Sequence, residues 1–134
     1  MSALKSAAMC MAVIASLFFV SAGANAGERQ AFSTTKFEEA QAAGSRILVD
    51  IAASWCPVCK AQKPLIEEIA AEPANDDLII FQVDFDTQKD AVRGFNAQKQ
   101  STLIAYRGKT ETKRSVGDTN SESIASLIAS NRDK

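Results

Sequence analysis

Two of the chain's three cysteines, Cys56 and Cys59, lie close together in the stretch ASWCPVCKAQKP. Two thiols at this spacing can bind a metal ion, form a structural disulfide, or exchange electrons with the thiols of another protein. The chain contains no histidine, so the commonest general base and the commonest protein metal ligand are both missing. Any chemistry at the cysteines must therefore use other groups.

The alternatives to electron exchange differ in how well the sequence supports them. A structural disulfide that closes a loop of only four residues would stabilise the fold by about 2 kcal/mol, at the low end for disulfides. Zinc requires four ligands in a tetrahedral site, and two thiolates without imidazole do not supply them. Copper(I) needs only two soft ligands. A copper carrier therefore stays open beside the redox interpretation.

Asp50 is the only charged residue in the apolar stretch ILVDIAA. A buried carboxylate without a partner is costly, and such a group binds a proton more readily than an exposed one. One interpretation is a carboxylate that accepts hydrogen bonds from backbone donors at the end of a strand. The sharper hypothesis is that Asp50 accepts and returns the proton of Cys59 through water while the cysteines cycle between dithiol and disulfide.

The elements that must position these residues are a strand and the helix that follows it. The run RILVDIAA is apolar and β-prone, which predicts a central strand covered on both faces. An amphipathic pattern predicts a helix over residues 57–71, with Pro57 at its first position and Pro64 inside it. Cys56 then lies at the helix N-cap, where unpaired amides and the helix dipole favour the thiolate, and Cys59 lies one turn further on. We expect one exposed, activated sulfur and one sheltered sulfur.

A further helix is predicted in front of this unit. Thr35 and Glu38 have the spacing of a capping box, which predicts a helix over residues 36–43. Gly44 follows where a left-handed helix terminus is expected.

The rest of the chain adds a strand and helix, then a hairpin and a last helix. LIIFQVDF is typical of a second buried strand, and DTQKDAVRGF of a short helix capped near Asp86 or Thr87. TLIAY and TETKRSV, separated by RGK, predict a hairpin. Thr119 and Glu122 predict the start of the last helix. The order predicts an α/β fold in which a mixed central sheet is flanked by helices on both faces.

The N-terminal segment, residues 1–26, has the pattern of a secretory signal peptide. Lys5 precedes an apolar stretch without charge, and a small-residue cleavage signal ends at Ala26. Cleavage would remove Cys10 and leave residues 27–134 as one domain in the periplasm, an oxidising compartment. The alternative is an uncleaved anchor that holds the domain on the periplasmic side of the membrane.

The net charge of the chain does not indicate a class of binding partner. Its 15 Lys and Arg nearly balance its 16 Asp and Glu, so the protein has no strong field of either sign. This balance argues against nucleic acid as a partner.

The stretch ILVDIAASWCPVCKAQKP resembles the active-site block of the thioredoxin family. The matching positions are Asp50, Trp55, Cys56, Cys59, Lys60 and Pro64. The likeness extends over residues 34–130 and implies a thioredoxin fold. It also implies that Cys56 is the nucleophile that attacks a substrate disulfide, and that Cys59 resolves the mixed disulfide.

The resemblance assigns further residues to the site. It places Trp55, Pro57 and Lys60 beside the cysteines in the catalytic site. The family's substrate-binding positions correspond here to Gln100, Ser101, Thr102 and Gly117.

Two residues at or near the site, Ser101 and Gln82, depart from the family's pattern. Ser101 stands where the family has a cis-proline, and a cis peptide before a non-proline residue costs about 2.5–4 kcal/mol. We therefore expect a trans Gln100–Ser101 bond and a reshaped loop. Gln82 stands where thioredoxins commonly have a lysine beside the buried aspartate, so we expect Asp50 to lack a cationic neighbour.

These features predict a periplasmic thiol–disulfide oxidoreductase that reduces the disulfides of client proteins and acts as a monomer. The residues between the cysteines include no histidine, the usual thiolate donor of the family's oxidants. Only 18 residues separate Val83 from Thr102, which leaves no room for the helical insertion of disulfide-forming relatives. The resemblance implies a membrane-embedded thiol reductase as electron donor, and no metal or other cofactor is expected.

Two alternative functions remain. The first is a thioredoxin-like carrier for copper or for cytochrome assembly, which binds through the CxxC cysteines without turnover. The second is a disulfide donor, which would differ from a reductase only in its reduction potential.

Overall fold

The computed structural model describes residues 27–132. The predicted signal peptide or anchor, residues 1–26, lies outside the described residues, as do the last two residues of the chain. Between residues 27 and 132, no helix is both long enough and apolar enough to cross a membrane.

The described chain forms five strands, four α-helices and one 3-10 turn. In chain order they are β1 (Glu28–Ala31), α1 (Thr34–Ala42), β2 (Arg46–Ala52), α2 (Pro57–Ala70), the 3-10 turn (Pro73–Asn75), β3 (Leu78–Asp84), α3 (Lys89–Gly94), β4 (Thr102–Arg107), β5 (Thr110–Val116) and α4 (Ser121–Ala129). The strands form one sheet in the order β1-β3-β2-β4-β5. β1, β3 and β2 are parallel, whereas β4 runs antiparallel to β2 and β5 antiparallel to β4. The predicted mixed sheet is confirmed.

Each face of the sheet carries a pair of helices and its own hydrophobic core. The core under α2 and α4 consists of Leu48, Ile66, Ile69, Ala70, Leu78, Ile80, Leu103, Ala105, Ile124, Leu127 and Ile128. The core under α1 and α3 consists of Phe37, Ala40, Ile47, Val49, Ile51, Phe81, Val83, Val92, Phe95 and Ile104. Successive residues of a strand point to opposite faces. Asp50 therefore shares the α2 face with Leu48.

β2 is the central strand that the sequence predicts. Its first six residues are buried, and both of its edges are paired, one with β3 and one with β4. A strand covered on both faces needs apolar residues at nearly every position, which explains its continuous apolar pattern. It ends at Ala52, close to Cys56, and so delivers the cysteines to one end of the sheet.

β1 is the element that the sequence did not predict. Its four residues, ERQA, include two charges and no apolar alternation, so local pattern gives no strand signal. The strand exists because it pairs in parallel with β3, where Arg29 lies opposite Ile80. Tertiary pairing here overrides local propensity.

The predicted starts of three helices are corrected by the structure. The N-cap position of α1 is Ser33 rather than Thr35: the Ser33 carbonyl accepts the first intrahelical bond, from the amide of Phe37 at 2.9 Å, and its side chain makes no capping bond. α4 is capped by Asn120 rather than by Thr119, and the Asn120 side chain accepts from the amide of Ser123 at 2.9 Å. Both shifts are of one or two residues, the usual range for helix ends.

α3 also begins later than predicted, at Lys89. The carboxylate of Asp84 accepts hydrogen bonds from the amides of Asp86 and Thr87, both at 2.9 Å. These bonds hold the two predicted cap residues in a turn that precedes the helix. The cap position falls instead on Gln88.

Candidate active site

Cys56 and Cys59 lie where β2 passes into α2, and the structure joins them in a disulfide with 5.3 Å between their Cα atoms. Cys56 is the N-cap of α2, and its Sγ accepts a hydrogen bond from the amide of Cys59 at 3.1 Å. Pro57 occupies the first helical position, where a missing amide hydrogen costs nothing. The predicted N-cap position of Cys56 is confirmed.

The expected exposed sulfur is not found in this disulfide form. Cys56 is 1% exposed and Cys59 is 8% exposed, so the first cysteine is at least as sheltered as the second. Both pack in a small cluster with Ala53, and Val58 and Phe85 lie against it. The prediction considered only the position of Cys56 at the helix N-terminus and not the side chains that pack against it.

Asp50 lies beneath the cysteines with a partner that the sequence did not reveal. It is 4% exposed, and its Oδ2 accepts from Nη1 of Arg29 at 2.7 Å. Arg29 reaches from β1 across β3, and the same nitrogen lies 3.4 Å from Oε1 of Gln82. The expectation that Asp50 lacks a cationic neighbour is therefore wrong, because the missing lysine at position 82 is replaced by an arginine on another strand.

A cavity of about 210 Å³ connects this ion pair with the second cysteine. Its lining residues are Arg29, Asp50, Ala52, Ala53, Ser54, Cys59, Lys60, Lys63, Gln82 and Asp84. Nε and Nη2 of Arg29 are buried, and neither has a hydrogen-bond partner among residues 27–132. A polar cavity of this size can hold several water molecules, and the two free donors are groups that bind water.

The substrate-binding positions implied by the resemblance meet at the same end of the sheet. The Gln100–Ser101 bond is trans, as predicted, and Ser101 has a left-handed backbone with φ of 57°. The carbonyl of Ser101 accepts from the amide of Gly117 at 2.9 Å. Thr102 lies opposite Ile51 in the sheet, which brings Ser101 beside the strand end that leads to the cysteines.

The remaining predicted site residues lie at the surface. Lys60 is exposed and lines the cavity. Trp55 is 56% exposed, and its indole Nε1 donates to Oδ2 of Asp86 at 2.8 Å. Val116 is likewise exposed, at 54%. Trp55 and Val116 are therefore exposed apolar side chains beside the site: Trp55 precedes Cys56 in the chain, and Val116, which was not predicted as a site residue, precedes Gly117.

Known proteins share this fold and this site. The thioredoxin family model matches residues 28–130. The chain belongs to the thioredoxin family. Members of this family are thiol–disulfide oxidoreductases, and their reactive cysteine pair corresponds to Cys56 and Cys59.

Individual thioredoxins show how far the likeness extends. The thioredoxin of Mycobacterium bovis is 41% identical over 71 residues, which is 53% of this chain and 60% of that protein. The chain thus spans about three fifths of that relative's length. Thioredoxin-2 of Saccharomyces cerevisiae is 34% identical over 100 residues, covering 74% of this chain and 93% of the yeast protein. The crystal structure of Trxlp from Edwardsiella tarda superposes with a TM-score of 0.74 at 42% identity, covering 75% of this chain and 98% of that one.

Three residues near the thioredoxin site were missed from the sequence. Arg29 lies on the strand that carried no local signal. Asp86 has the sequence pattern of a helix cap, which does not indicate its bond with Trp55. Gln62 interrupts the apolar stripe of α2 and is 1% exposed. Only Gln62 had a signal, since a polar residue one turn beyond Cys59 falls on the buried face of that helix.

Proposed function

We propose that the protein is a thiol–disulfide oxidoreductase of the periplasm that reduces the disulfides of client proteins. The observation that carries this proposal is the Cys56–Cys59 disulfide at the N-terminus of α2, above a buried carboxylate. The periplasmic location rests on the signal-peptide pattern of residues 1–26. Electrons would come from a membrane-embedded thiol reductase.

The reaction begins with the reduced form. The thiolate of Cys56 attacks one sulfur of a client disulfide, so that a Cys56–client bond forms and the client's S–S bond breaks. Cys59 then attacks the sulfur of Cys56, which forms the Cys56–Cys59 bond and releases the second client thiolate. Two electrons pass to the client, and the donor must return two to the protein.

The α2 N-terminus supports the nucleophilic role of Cys56. A sulfur that accepts from the amide of Cys59 at 3.1 Å is in the position that stabilises a thiolate. In the second step Cys59 must lose its proton before it can attack. Asp50 and Cys59 line the same polar cavity, which supports proton transfer from Cys59 to Asp50 through water.

Two cysteine variants test the assignment of the nucleophile. Cys56→Ser should abolish the reduction of insulin by the dithiothreitol-reduced protein. Cys59→Ser should accumulate mixed disulfides with client proteins, because the resolving thiol is missing. Clients trapped equally well by Cys56→Ser would contradict the assignment.

An isosteric change tests the proton transfer. Asp50→Asn removes the acceptor while it keeps the shape of the side chain, so the rate of substrate reduction at neutral pH should fall. A rate equal to that of the wild type would contradict the proposed role of Asp50.

The direction of exchange is tested by the equilibrium potential of the cysteine pair against glutathione. A value near −270 mV supports a reductase, and one near −120 mV supports a disulfide donor. Export is tested by fractionating cells that express the full chain. Recovery of the protein only from the cytoplasm would contradict the periplasmic proposal.

A second candidate is a carrier for copper(I) or for cytochrome assembly. It is favoured by Ser101, which replaces the ring of proline at the position expected to face the cysteines. Stoichiometric copper(I) binding much tighter than that of an ordinary dithiol, without insulin reduction, would select this candidate.

A further inference from the structure

Gln62 is a buried amide on the helix that carries the cysteines. It lies one turn after Cys59 in α2 and is 1% exposed. The next buried residues along this face of α2 are Ile66 and Ile69, both apolar. A polar side chain is costly at such a position unless its hydrogen bonds are made.

Both hydrogens of the Gln62 amide are directed at backbone carbonyls outside α2. Nε2 donates to the carbonyl of Asp118 at 2.8 Å and to that of Ser101 at 3.4 Å. Oε1 is buried and has no hydrogen-bond partner in the part of the chain that the structure describes. The orientation of the amide follows from these neighbours, because a flipped group would place its oxygen against two carbonyl oxygens.

The two carbonyls belong to the segments that hold the substrate-binding positions. Ser101 ends the loop before β4, here called the substrate loop (residues 99–101). Asp118 lies between β5 and α4, next to Gly117, whose amide also donates to the Ser101 carbonyl. Gln62 thus links the cysteine helix to both segments.

Groups outside the substrate loop hold the carbonyl of Ser101. Ser101 is trans and left-handed, a backbone conformation that non-glycine residues rarely adopt. No proline ring fixes the backbone there. The hydroxyl of Ser101 donates to the adjacent carbonyl of Gln100 at 2.5 Å, and the hydroxyl of Thr102 donates to the carbonyl of Lys99 at 2.7 Å, so neither bond involves the carbonyl of Ser101. The carbonyl of Ser101 is therefore held from outside the loop, by Gly117 and Gln62.

We propose that Gln62 is a positioning residue, which holds the substrate loop against the cysteine helix so that protein substrates can dock beside Cys56. This inference rests on the proposed reductase function and deepens it. A structural role alone does not explain the residue well. A methionine of similar size would fill the same space without a buried, unpaired oxygen, but it would leave the carbonyls of Ser101 and Asp118 without the donor that joins the two segments.

The test compares two substrates of the reduced protein. A protein disulfide such as insulin must dock on the substrate loop, whereas the small aromatic disulfide DTNB reaches the sulfur without it. Gln62→Met should raise the KM for insulin about five- to tenfold, as the loss of one or two hydrogen bonds predicts. Its kcat for insulin and its rate with DTNB should stay within about twofold of wild type, and its unfolding midpoint should fall only modestly, because two hydrogen bonds are lost while a buried oxygen without a partner is removed.

Ile66→Met is the matched control on the same helix. Ile66 is fully buried, and its replacement alters packing without touching the substrate loop, so the KM for insulin should stay at the wild-type value. Gln62→Asn is a second variant that keeps the amide but, one methylene shorter, loses reach to Ser101. It should reproduce the rise in KM even if Gln62→Met folds poorly.

The outcomes separate the two proposals. An unchanged KM for insulin in folded Gln62→Met and Gln62→Asn would overturn the positioning role and leave the reductase function intact. Equal losses with insulin and DTNB would also overturn it, since they would indicate a general effect on the cysteines. A wild-type protein that reduces DTNB but not insulin would overturn the reductase function, and the positioning role with it.

Discussion

The buried carboxylate near the cysteines, Asp50, forms an ion pair with Arg29. The sequence predicts the carboxylate correctly, because a single charge interrupts an apolar strand. It does not predict the cation, because Arg29 lies 21 positions away on a strand without a local signal. Arg29 reaches Asp50 because β1 pairs with β3 and β3 pairs with β2.

Removing Arg29 should destabilise the fold strongly. Arg29→Met leaves the buried carboxyl of Asp50 without its ionic partner, and we expect a loss of about 3 kcal/mol in the free energy of unfolding, near the low end for breaking a buried pair because the arginine is partly exposed. The measurement is urea unfolding of the oxidised protein at pH 7. The double variant Arg29→Met/Asp50→Asn should recover most of the loss.

The control for this prediction is a pair at the surface. Arg93 and Asp90 form an ion pair with both side chains largely exposed. Arg93→Met should change the unfolding free energy by less than about 0.5 kcal/mol. An equal loss in the two variants would show that the burial of Asp50 does not set the strength of its pair.

Asp84 makes the free energy of unfolding depend on pH. Hydrogen bonds from Thr87, with a smaller contribution from the amide of Asp86, lower the pKa of this carboxyl below its ordinary value of 3.8. A lowered pKa in the folded state stabilises the fold above about pH 3.8, and the contribution is lost as the pH falls through the folded pKa. Asp84→Asn should therefore be less stable than wild type at pH 7, by less than about 1 kcal/mol because the group is exposed. The difference in urea unfolding should shrink between pH 4 and pH 2, and a constant difference would contradict the assignment.

At the scale of elements, the sequence predicts the four α-helices found among residues 27–132 but misplaces three of their starts by one or more residues. Thr119 and Asn120 are both good N-cap residues, and local propensity does not choose between them. The choice is made by Asp118, whose Oδ1 accepts from the amide of Asn120 at 3.0 Å and sets the turn before α4. Helix caps of this kind depend on the geometry of the preceding loop, which a pattern of residue types does not contain.

The two candidate caps can be separated by substitution. Asn120→Ala removes the side-chain bond to the amide of Ser123 and should cost about 1 kcal/mol. Thr119→Ala is the matched control and should change stability by only a few tenths of a kcal/mol. Thermal unfolding of the two variants measures the difference. A larger loss for Thr119→Ala would restore the cap that the sequence favoured.

At the scale of the whole molecule, the order of strands and helices follows from pattern alone, because two buried strands, a hairpin and amphipathic helices admit few arrangements. The side-chain hydrogen bonds that join these elements to one another cannot be predicted from the pattern. Arg46 begins β2 and is 3% exposed. Its guanidinium donates to Asn131 at 2.9 Å, to Asn75 at 2.9 Å and to the carboxylate of Asp77 at 2.5 Å. One side chain therefore ties the central strand to the end of α4 and to the 3-10 turn before β3.

Breaking this cluster should unfold the protein more easily without changing its chemistry. Arg46→Met leaves buried acceptors on Asn75 and Asn131 without this donor, and we expect a loss of about 3 kcal/mol or more in urea unfolding. Arg46 lies at the opposite end of β2 from the cysteines, roughly 20 Å away along a seven-residue strand. Insulin reduction per folded molecule should therefore equal that of wild type at 25 °C. A fall in the activity of the folded fraction would mean that the end of β2 remote from the cysteines also helps to hold the redox site.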